Sequence, residues 1–159
     1  MKSAPIQIRR LAPPDAALYR DIRLEALQRN PEAYGSTFET ENAQPLAWFS
    51  DRLAASMVFG AFHGSELVGI AGLLIGEGQE EAHKALLVGM YVRPSSRKAG
   101  DGRELIETII EFARERVELI QLAVVSDNEQ AWQLYARLGF LKRFFHNVIF
   151  ARDARSDKD

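Results

Sequence analysis

Two cations and two glycines stand directly before a helical pattern near the middle of the chain, and together they suit an anion. They are Arg97, Lys98, Gly100 and Gly102, in the segment RKAGDGREL. The first N–H groups of a helix have no partner within the helix, and the helix dipole favours negative charge there. Glycine lets the backbone approach a ligand, and arginine can hold phosphate oxygens through two parallel hydrogen bonds. The segment predicts a phosphate-binding loop, although an ordinary strand-to-helix turn with solvated charges has the same composition.

Two common phosphate-binding motifs do not fit this loop. A P-loop requires Gly-Lys followed by Ser or Thr, which is absent from the chain. A dinucleotide fingerprint requires a third glycine where Leu105 stands. We therefore expect a phosphorylated ligand that is bound in another way.

A second group of residues shares one face of a later helical segment. Asn128, Ala131, Tyr135 and Leu138 follow one another at steps of three, four and three residues. An asparagine and a tyrosine among small and apolar residues are consistent with a ligand contact. They are also consistent with core packing in which the tyrosine hydroxyl finds a partner.

The elements that must position these groups follow from hydrophobic periodicity. An apolar run from Ala85 to Val92, closed by Pro94, predicts a buried strand before the loop, and helical spacing extends after it to Val117. The whole chain predicts a strand, two helices, three strands, and then helix, strand, helix and strand, with room for two short strands in the last stretch. This order indicates an α/β fold with a mixed sheet and helices on both faces. We expect a single domain over residues 1–152 and a charged, frayed tail over residues 153–159.

Composition excludes several classes of function. The chain has 159 residues, of which 47% are hydrophobic, and a formal net charge of -2, which argues against nucleic acid as a partner. It has no cysteine, so it has no disulfide, thiolate metal site or cysteine nucleophile. No signal peptide or membrane-length apolar run is present. We expect a cytoplasmic protein without a metal and without a membrane partner.

At this point the residues resemble a known family. The loop Arg97-x-x-Gly100-x-Gly102, five residues after Val92, resembles the acetyl-CoA pyrophosphate motif of the GNAT superfamily of N-acyltransferases. The run from Asn128 to Phe140 is similar to the second CoA-binding motif of that family. The stretch Pro31–Phe38 resembles the acceptor-side segment of many small bacterial members.

The resemblance implies a GNAT-like fold, with acetyl-CoA between splayed fourth and fifth strands, and a role for each matching residue. The Met90 N–H would polarise the thioester carbonyl, and Tyr135 would protonate the departing thiolate; these two are the expected catalytic groups. The backbone from Met90 to Val92 would pair with the pantetheine arm, Asn128 would bond to that arm, and the amides from Lys98 to Arg103 would hold the pyrophosphate. The expected CoA-binding residues are Met90, Tyr91, Val92, Arg97, Lys98, Ala99, Gly100, Asp101, Gly102, Arg103, Asn128 and Tyr135.

The sequence departs from the family pattern at three places. Asp101 puts a carboxylate in the phosphate loop, where repulsion would weaken CoA binding, partly offset by Lys98 and Arg103. Leu86 stands where many members carry a glutamate as general base, which leaves a water path to Glu39, Glu41 or His83 as an alternative. The segment after Phe140 lacks the usual long final hairpin, so the acceptor pocket is either open or completed by a second subunit in a homodimer.

The leading interpretation is an N-acetyltransferase that moves the acetyl group of acetyl-CoA to the primary amine of a small molecule. Acetylation of a protein N-terminus or lysine is the near alternative. A CoA-binding regulatory module that has lost catalysis is the alternative from another class, because of Leu86 and Asp101.

Overall fold

The computed structural model describes residues 5–76, 84–124, 129–144 and 148–153. In chain order its strands and α-helices are β1 (Ile6–Arg10), α1 (Ala16–Arg29), α2 (Phe38–Asn42), α3 (Leu46–Ala55), β2 (Met57–His63), β3 (Glu66–Ile75), β4 (Lys84–Val92), α4 (Asp101–Ala113), β5 (Leu119–Val124), α5 (Glu129–Arg137), β6 (Leu141–Phe144) and β7 (Val148–Asp153). Short 3-10 helices lie at Pro13–Asp15, Pro31–Ala33 and Pro94–Ala99. None of the described helices is long and apolar enough to cross a membrane.

The strands form a mixed sheet in the order β1-β2-β3-β4-β5-β7-β6. β1 pairs antiparallel with β2, and β7 pairs antiparallel with both β5 and β6. β4 and β5 are parallel, and their pairing joins Lys84–Leu87 to Leu119–Leu122. β4 then continues to Val92. This architecture confirms the predicted α/β fold class with a mixed sheet.

β4 contains one residue more than β3 needs for regular pairing. The Gly76 N–H bonds to the Lys84 carbonyl at 3.0 Å, and the Arg93 N–H bonds to the Val68 carbonyl at 2.8 Å. Regular antiparallel pairing from the first bond would put Val68 opposite Val92, so the second bond shows a shift of one residue. Gly89 lies in this interval with a φ of 61°, which glycine adopts without strain. We assign the β-bulge to Gly89.

The fold divides into two compact units, of which the first comprises residues 1–72 and 89–105. Its core is apolar and joins α1 and α3 to the inner faces of the strands. The largest fully buried side chains there include Leu11, Ile22, Leu27, Phe49, Leu53 and Ile70. Tyr19 packs edge-on against Phe49, with 6.1 Å between the ring centroids.

A buried ion pair interrupts this apolar core. Arg23 of α1 donates from Nε and Nη2 to the two carboxylate oxygens of Glu41 in α2, both at 2.9 Å. Their side chains are only 7% and 1% exposed. Arg52 of α3 brings a second cation to 3.7 Å from the same carboxylate. A buried carboxylate is stable only when it is paired and hydrogen-bonded, so this pair ties α2 to α1.

The second unit comprises residues 73–88 and 106–159, and a Schellman motif ends its helix α5. The Phe140 N–H bonds to the Tyr135 carbonyl at 3.0 Å and the Gly139 N–H to the Ala136 carbonyl at 3.1 Å. Gly139 has the left-handed φ, 93°, that this motif requires. The rings of Tyr135 and Phe140 meet edge-on at 5.8 Å, and Arg152 of β7 donates to the Leu138 carbonyl. The end of α5 is therefore fixed through the carbonyl groups of Tyr135, Ala136 and Leu138.

Most predicted elements are confirmed, with two differences. Two helices were predicted between the first two strands, and the structure adds the 3-10 helix Pro31–Ala33 and the short helix α2. Thr37 caps α2 by accepting from the Thr40 N–H at 3.2 Å. Asp153, which was assigned to the tail, is the last residue of β7. The tail from residue 154 lies outside the described residues.

The ion pair predicts a pH-dependent loss of stability in Glu41→Gln. Burial alone would raise the pKa of Glu41, but the hydrogen bonds and charge of Arg23 hold that pKa below its ordinary value. Removing one partner of a buried ion pair costs about 3–5 kcal/mol, so the free energy of unfolding near neutral pH falls by that amount. A lowered carboxyl pKa stabilises the fold above the unfolded-state pKa and ceases to do so as the pH falls through the folded-state pKa. Denaturant unfolding should therefore show the two proteins converging below about pH 4.

Arg9 and Asp15 provide the matched control. They make the same bidentate pair at 2.9 Å, but Arg9 is 51% exposed. Asp15→Asn should cost no more than about 1 kcal/mol. Equal losses in the two variants would contradict a structural role for burial of the Arg23–Glu41 pair.

Candidate functional site

The end of β4 beyond the bulge presents its backbone groups alternately to its two edges. The Arg93 N–H bonds to Val68 of β3, and a Cβ on Gly69 of β3 would lie 3.5 Å from the Tyr91 carbonyl oxygen. Tyr91 and Arg93 therefore direct their polar groups towards β3. In an extended strand the N–H and C=O of one residue point to the same edge, and successive residues alternate. Met90 and Val92 thus direct theirs to the edge that faces away from β3.

Two side chains donate hydrogen bonds to the carbonyl groups on that edge. The Tyr34 hydroxyl donates to the Met90 carbonyl at 3.0 Å, and Nε of Arg97 donates to the Val92 carbonyl at 2.7 Å. At Met90 and Val92, the N–H groups are therefore the polar groups that can bond to a ligand. An edge of N–H donors matches the carbonyl groups of an extended amide and thioester arm.

Tyr91 is held on the opposite side of the strand by α1. Its hydroxyl donates to Glu25 at 2.6 Å, and burial, together with this carboxylate, raises the pKa of Tyr91 to about 12. Arg93 lies 3.6 Å from the same carboxylate, and the Arg97 guanidinium lies 5.4 Å from the centre of the Tyr91 ring. Glu25 therefore lies close to Arg93 and anchors the strand through Tyr91, a role that the sequence did not indicate.

The predicted phosphate loop begins after β4 and ends at the N-terminus of α4. Pro94–Ala99 form the 3-10 helix, and Gly100 follows with a φ of 85°. The Glu104 N–H bonds to the Gly100 carbonyl at 3.0 Å, so Gly100 directly precedes the first turn of α4. A Cβ at Gly100 would meet nothing within 4 Å, which leaves the backbone there open to a ligand. Gly102 and Arg103 lie in the first turn, and the side chains of Lys98 and Ala99 lie outside the described part.

Asp101 lies differently from the sequence expectation. It is 3% exposed, and its carboxylate lies 2.7 Å from Nε2 of His63 at the end of β2. The predicted repulsion between this carboxylate and a pyrophosphate stays a prediction, while the structure shows that the carboxylate is directed at His63. Asp101 ties the first turn of α4 to β2. A sequence separation of 38 residues left no local signal for this pair.

Tyr135 belongs to the second unit and is 6% exposed. The Schellman motif at Gly139 and the Phe140 ring fix its backbone and its ring, as described above. Its predicted role as a proton donor stays a prediction. Asn128 lies outside the described residues.

The residues that were considered for a general base differ in their surroundings. Leu86, at the position where a glutamate was expected for the family, is 39% exposed. Glu41 is buried in the ion pair with Arg23, so its carboxylate is not solvated. Glu39 is exposed, and His83 lies outside the described part. Within the described residues, no group of three or more His, Cys, Asp or Glu could hold a metal ion.

Comparison with known proteins identifies relatives of this chain. The model of the Acetyltransferase (GNAT) family matches residues 19–140. The chain is 32% identical over 128 residues to N-alpha-acetyltransferase RimI of Mycobacterium tuberculosis, which covers 76% of this chain and 78% of that protein.

Solved structures share the fold at lower identity. An acetyltransferase of the GNAT family from Streptococcus pneumoniae has a TM-score of 0.78 at 19% identity, over 92% of this chain and 96% of that one. The structure of yncA from Salmonella typhimurium, with its cofactor acetyl-CoA, has a TM-score of 0.71 at 18% identity and covers 94% of each chain. At these identities the two structures bear on the fold alone.

The open space at Gly100 predicts a loss of ligand affinity that is separate from a loss of stability. Gly100→Ala forces an L-residue into the left-handed region, which costs about 1–2 kcal/mol of stability, and it adds a methyl group where the backbone should meet a phosphate. Gly64→Ala is the matched control, because Gly64 has a φ of 61° and equally open space in the β2–β3 turn. Both variants should lose similar stability in thermal unfolding. Only Gly100→Ala should lose CoA affinity in calorimetry, and equal affinities would remove the loop from the site.

Proposed function

The chain belongs to the GNAT family of acetyltransferases, and on that premise we propose that it transfers the acetyl group of acetyl-CoA to a primary amine by direct attack of the amine on the thioester. The observation that carries this proposal is the edge of β4 beyond Gly89, where the Met90 and Val92 N–H groups face away from β3. Bound acetyl-CoA supplies an activated acetyl group as a thioester.

The residues of the chain fit such a ligand along two stretches. In this proposal the Met90 N–H donates to the thioester carbonyl oxygen, where negative charge develops during attack. In the same proposal the amides from Lys98 to Arg103, before α4 and in its first turn, hold the pyrophosphate. The Arg97 guanidinium, whose Nε is used by Val92, keeps its outer nitrogens for phosphate oxygens.

The reaction that we propose needs no covalent intermediate with the protein. The amine nitrogen forms a bond to the carbonyl carbon, the carbon–sulfur bond breaks, and the CoA thiolate leaves. Tyr135 donates a proton to the thiolate, and the amine releases one proton to solvent. β4 carries no carboxylate that could take this proton, since its sequence is KALLVGMYV, so the amine must arrive unprotonated.

We favour the α-amino group of a peptide as the acceptor. The support is the 32% identity to a protein named N-alpha-acetyltransferase, over 78% of its length. An α-amino group has an ordinary pKa of about 8. About a tenth of it is therefore unprotonated at pH 7, a far larger fraction than for a lysine side chain with its pKa of about 10.4, which suits a site without a base on β4.

A small-molecule primary amine is the second candidate, and the packing of the acceptor-side segment favours it. The Tyr34 hydroxyl donates to the Met90 carbonyl at 3.0 Å, so the stretch Pro31–Phe38 contacts the edge of β4. A peptide acceptor needs an open groove at that edge, whereas a small amine does not.

Release of free CoA from acetyl-CoA distinguishes these readings. We expect thiol release with a short peptide that has a free α-amine, and none with the same peptide after N-terminal formylation. Turnover with small amines and none with the free peptide would make the small-molecule amine the acceptor. Binding of CoA by calorimetry without turnover on any amine would contradict the enzymatic proposal and favour a CoA-binding module.

The proton transfer predicts a specific effect of Tyr135→Phe. Loss of the general acid should lower kcat by about 10²-fold or more. The dissociation constant of CoA and the melting temperature should change little, because the ring contact with Phe140 is kept. An unchanged kcat would return Tyr135 to a packing role at the end of α5.

A further inference from the structure

We propose that Tyr34 is a positioning residue for the Met90 N–H, and that the buried Arg23–Glu41 pair holds Tyr34 in place. The proposal rests on the function proposed above, because it concerns the same N–H group and its use at the thioester carbonyl. Tyr34 lies in the stretch Pro31–Phe38, for which the sequence indicated no role of this hydroxyl.

The Tyr34 hydroxyl fixes the backbone of Met90 from one end. It donates to the Met90 carbonyl at 3.0 Å, on the edge of β4 that also carries the Met90 N–H. A side-chain hydroxyl here takes the place that the N–H of a neighbouring strand has in a regular sheet. From the other end, Gly89 with its φ of 61° sets the direction in which the chain enters Met90. The direction of the Met90 N–H therefore depends on a glycine before it and on Tyr34 after it.

Arg23 connects Tyr34 to the ion pair and to the bulge. Its guanidinium carbon lies 5.2 Å from the centre of the Tyr34 ring. Its Nε and Nη2 are used by Glu41, while Nη1 would lie 3.6 Å from a Cβ at Gly89. Because Glu41 fixes the plane of the guanidinium, it also fixes the surface on which the Tyr34 ring rests. One buried guanidinium thus supports both Tyr34 and the bulge.

Tyr34 remains a donor over the range in which an amine acceptor is reactive. Burial raises the pKa of Tyr34 to about 12, although Arg23 and Arg97 act in the opposite direction. The hydroxyl therefore keeps its proton at any pH where the protein would be assayed. The contact with the Met90 carbonyl is a permanent feature of the site, not a switch.

The test is Tyr34→Phe, which removes the hydroxyl and keeps the ring on Arg23. We expect kcat to fall by about 10- to 100-fold, as for a small misplacement of a catalytic group. The dissociation constant of CoA, which has no acetyl carbonyl, should stay unchanged. Infrared spectra of acetyl-CoA labelled with ¹³C at the carbonyl provide a readout besides turnover. The bound wild-type protein should lower the carbonyl stretching frequency, and Tyr34→Phe should lose most of that shift.

Two further variants separate positioning from simple packing. Tyr19→Phe makes the same chemical change at a buried tyrosine of the same core, next to Phe49, and should leave kcat and the carbonyl shift as in wild type. Arg23→Lys keeps the charge but cannot bond both Glu41 oxygens in one plane, so a folded variant should show part of the effect of Tyr34→Phe.

Each outcome bears on the proposal. A wild-type carbonyl shift that persists in Tyr34→Phe, with kcat unchanged, overturns it. A parallel loss of kcat, CoA affinity and melting temperature also overturns it, since that pattern indicates packing alone. If wild-type protein binds acetyl-CoA without any carbonyl shift, the role proposed for Met90 fails first, and the failure is visible before any variant is made.

Discussion

The positive φ of Gly89 is the constraint on which the geometry of the site depends. It adds one residue to β4 relative to β3 and so decides which backbone groups face which edge after that point. Without the extra residue, Met90 and Val92 would direct their polar groups towards β3, and Tyr91 would face the ligand edge. Any L-residue at this position would strain the backbone, although a Cβ would find ordinary contact distances there. The chemistry proposed for Met90 therefore depends on a residue that itself contributes no functional group.

The first unit uses a buried ion pair to hold this backbone geometry, in a place where an apolar core would be simpler to stabilise. An apolar pair of similar volume could fill the space of Arg23 and Glu41, in many proteins with equal or greater stability. A guanidinium fixed by two hydrogen bonds, however, has a defined plane and a defined direction, which an aliphatic side chain lacks. Tyr34 and Gly89 both lie against that guanidinium. The pair thus orients the groups around Tyr34 and Gly89 more than it contributes to the free energy of folding.

The sequence predicted those features that depend on local patterns. Apolar periodicity located nearly every helix and strand, and the glycines before α4 located the loop. Contacts between distant residues could not be predicted in this way, since neither Arg23 with Glu41 nor His63 with Asp101 has a periodic signal. Asp101 is an example, because the sequence shows its charge but does not show that its carboxylate points at His63. Gly89 did carry a signal, as an isolated glycine inside a strand pattern indicates a bulge.

The central claim is that β4 presents alternate N–H groups to acetyl-CoA after the bulge at Gly89, and amide hydrogen exchange at four consecutive residues tests it most directly. Exchange rates measured by NMR with and without acetyl-CoA should fall on binding at Met90 and Val92. The rate at Arg93 should stay the same, because its N–H already bonds to Val68 at 2.8 Å. Tyr91, which faces β3, should change as little as Arg93. Equal protection at all four residues, or protection at Tyr91 and Arg93 alone, would contradict the account.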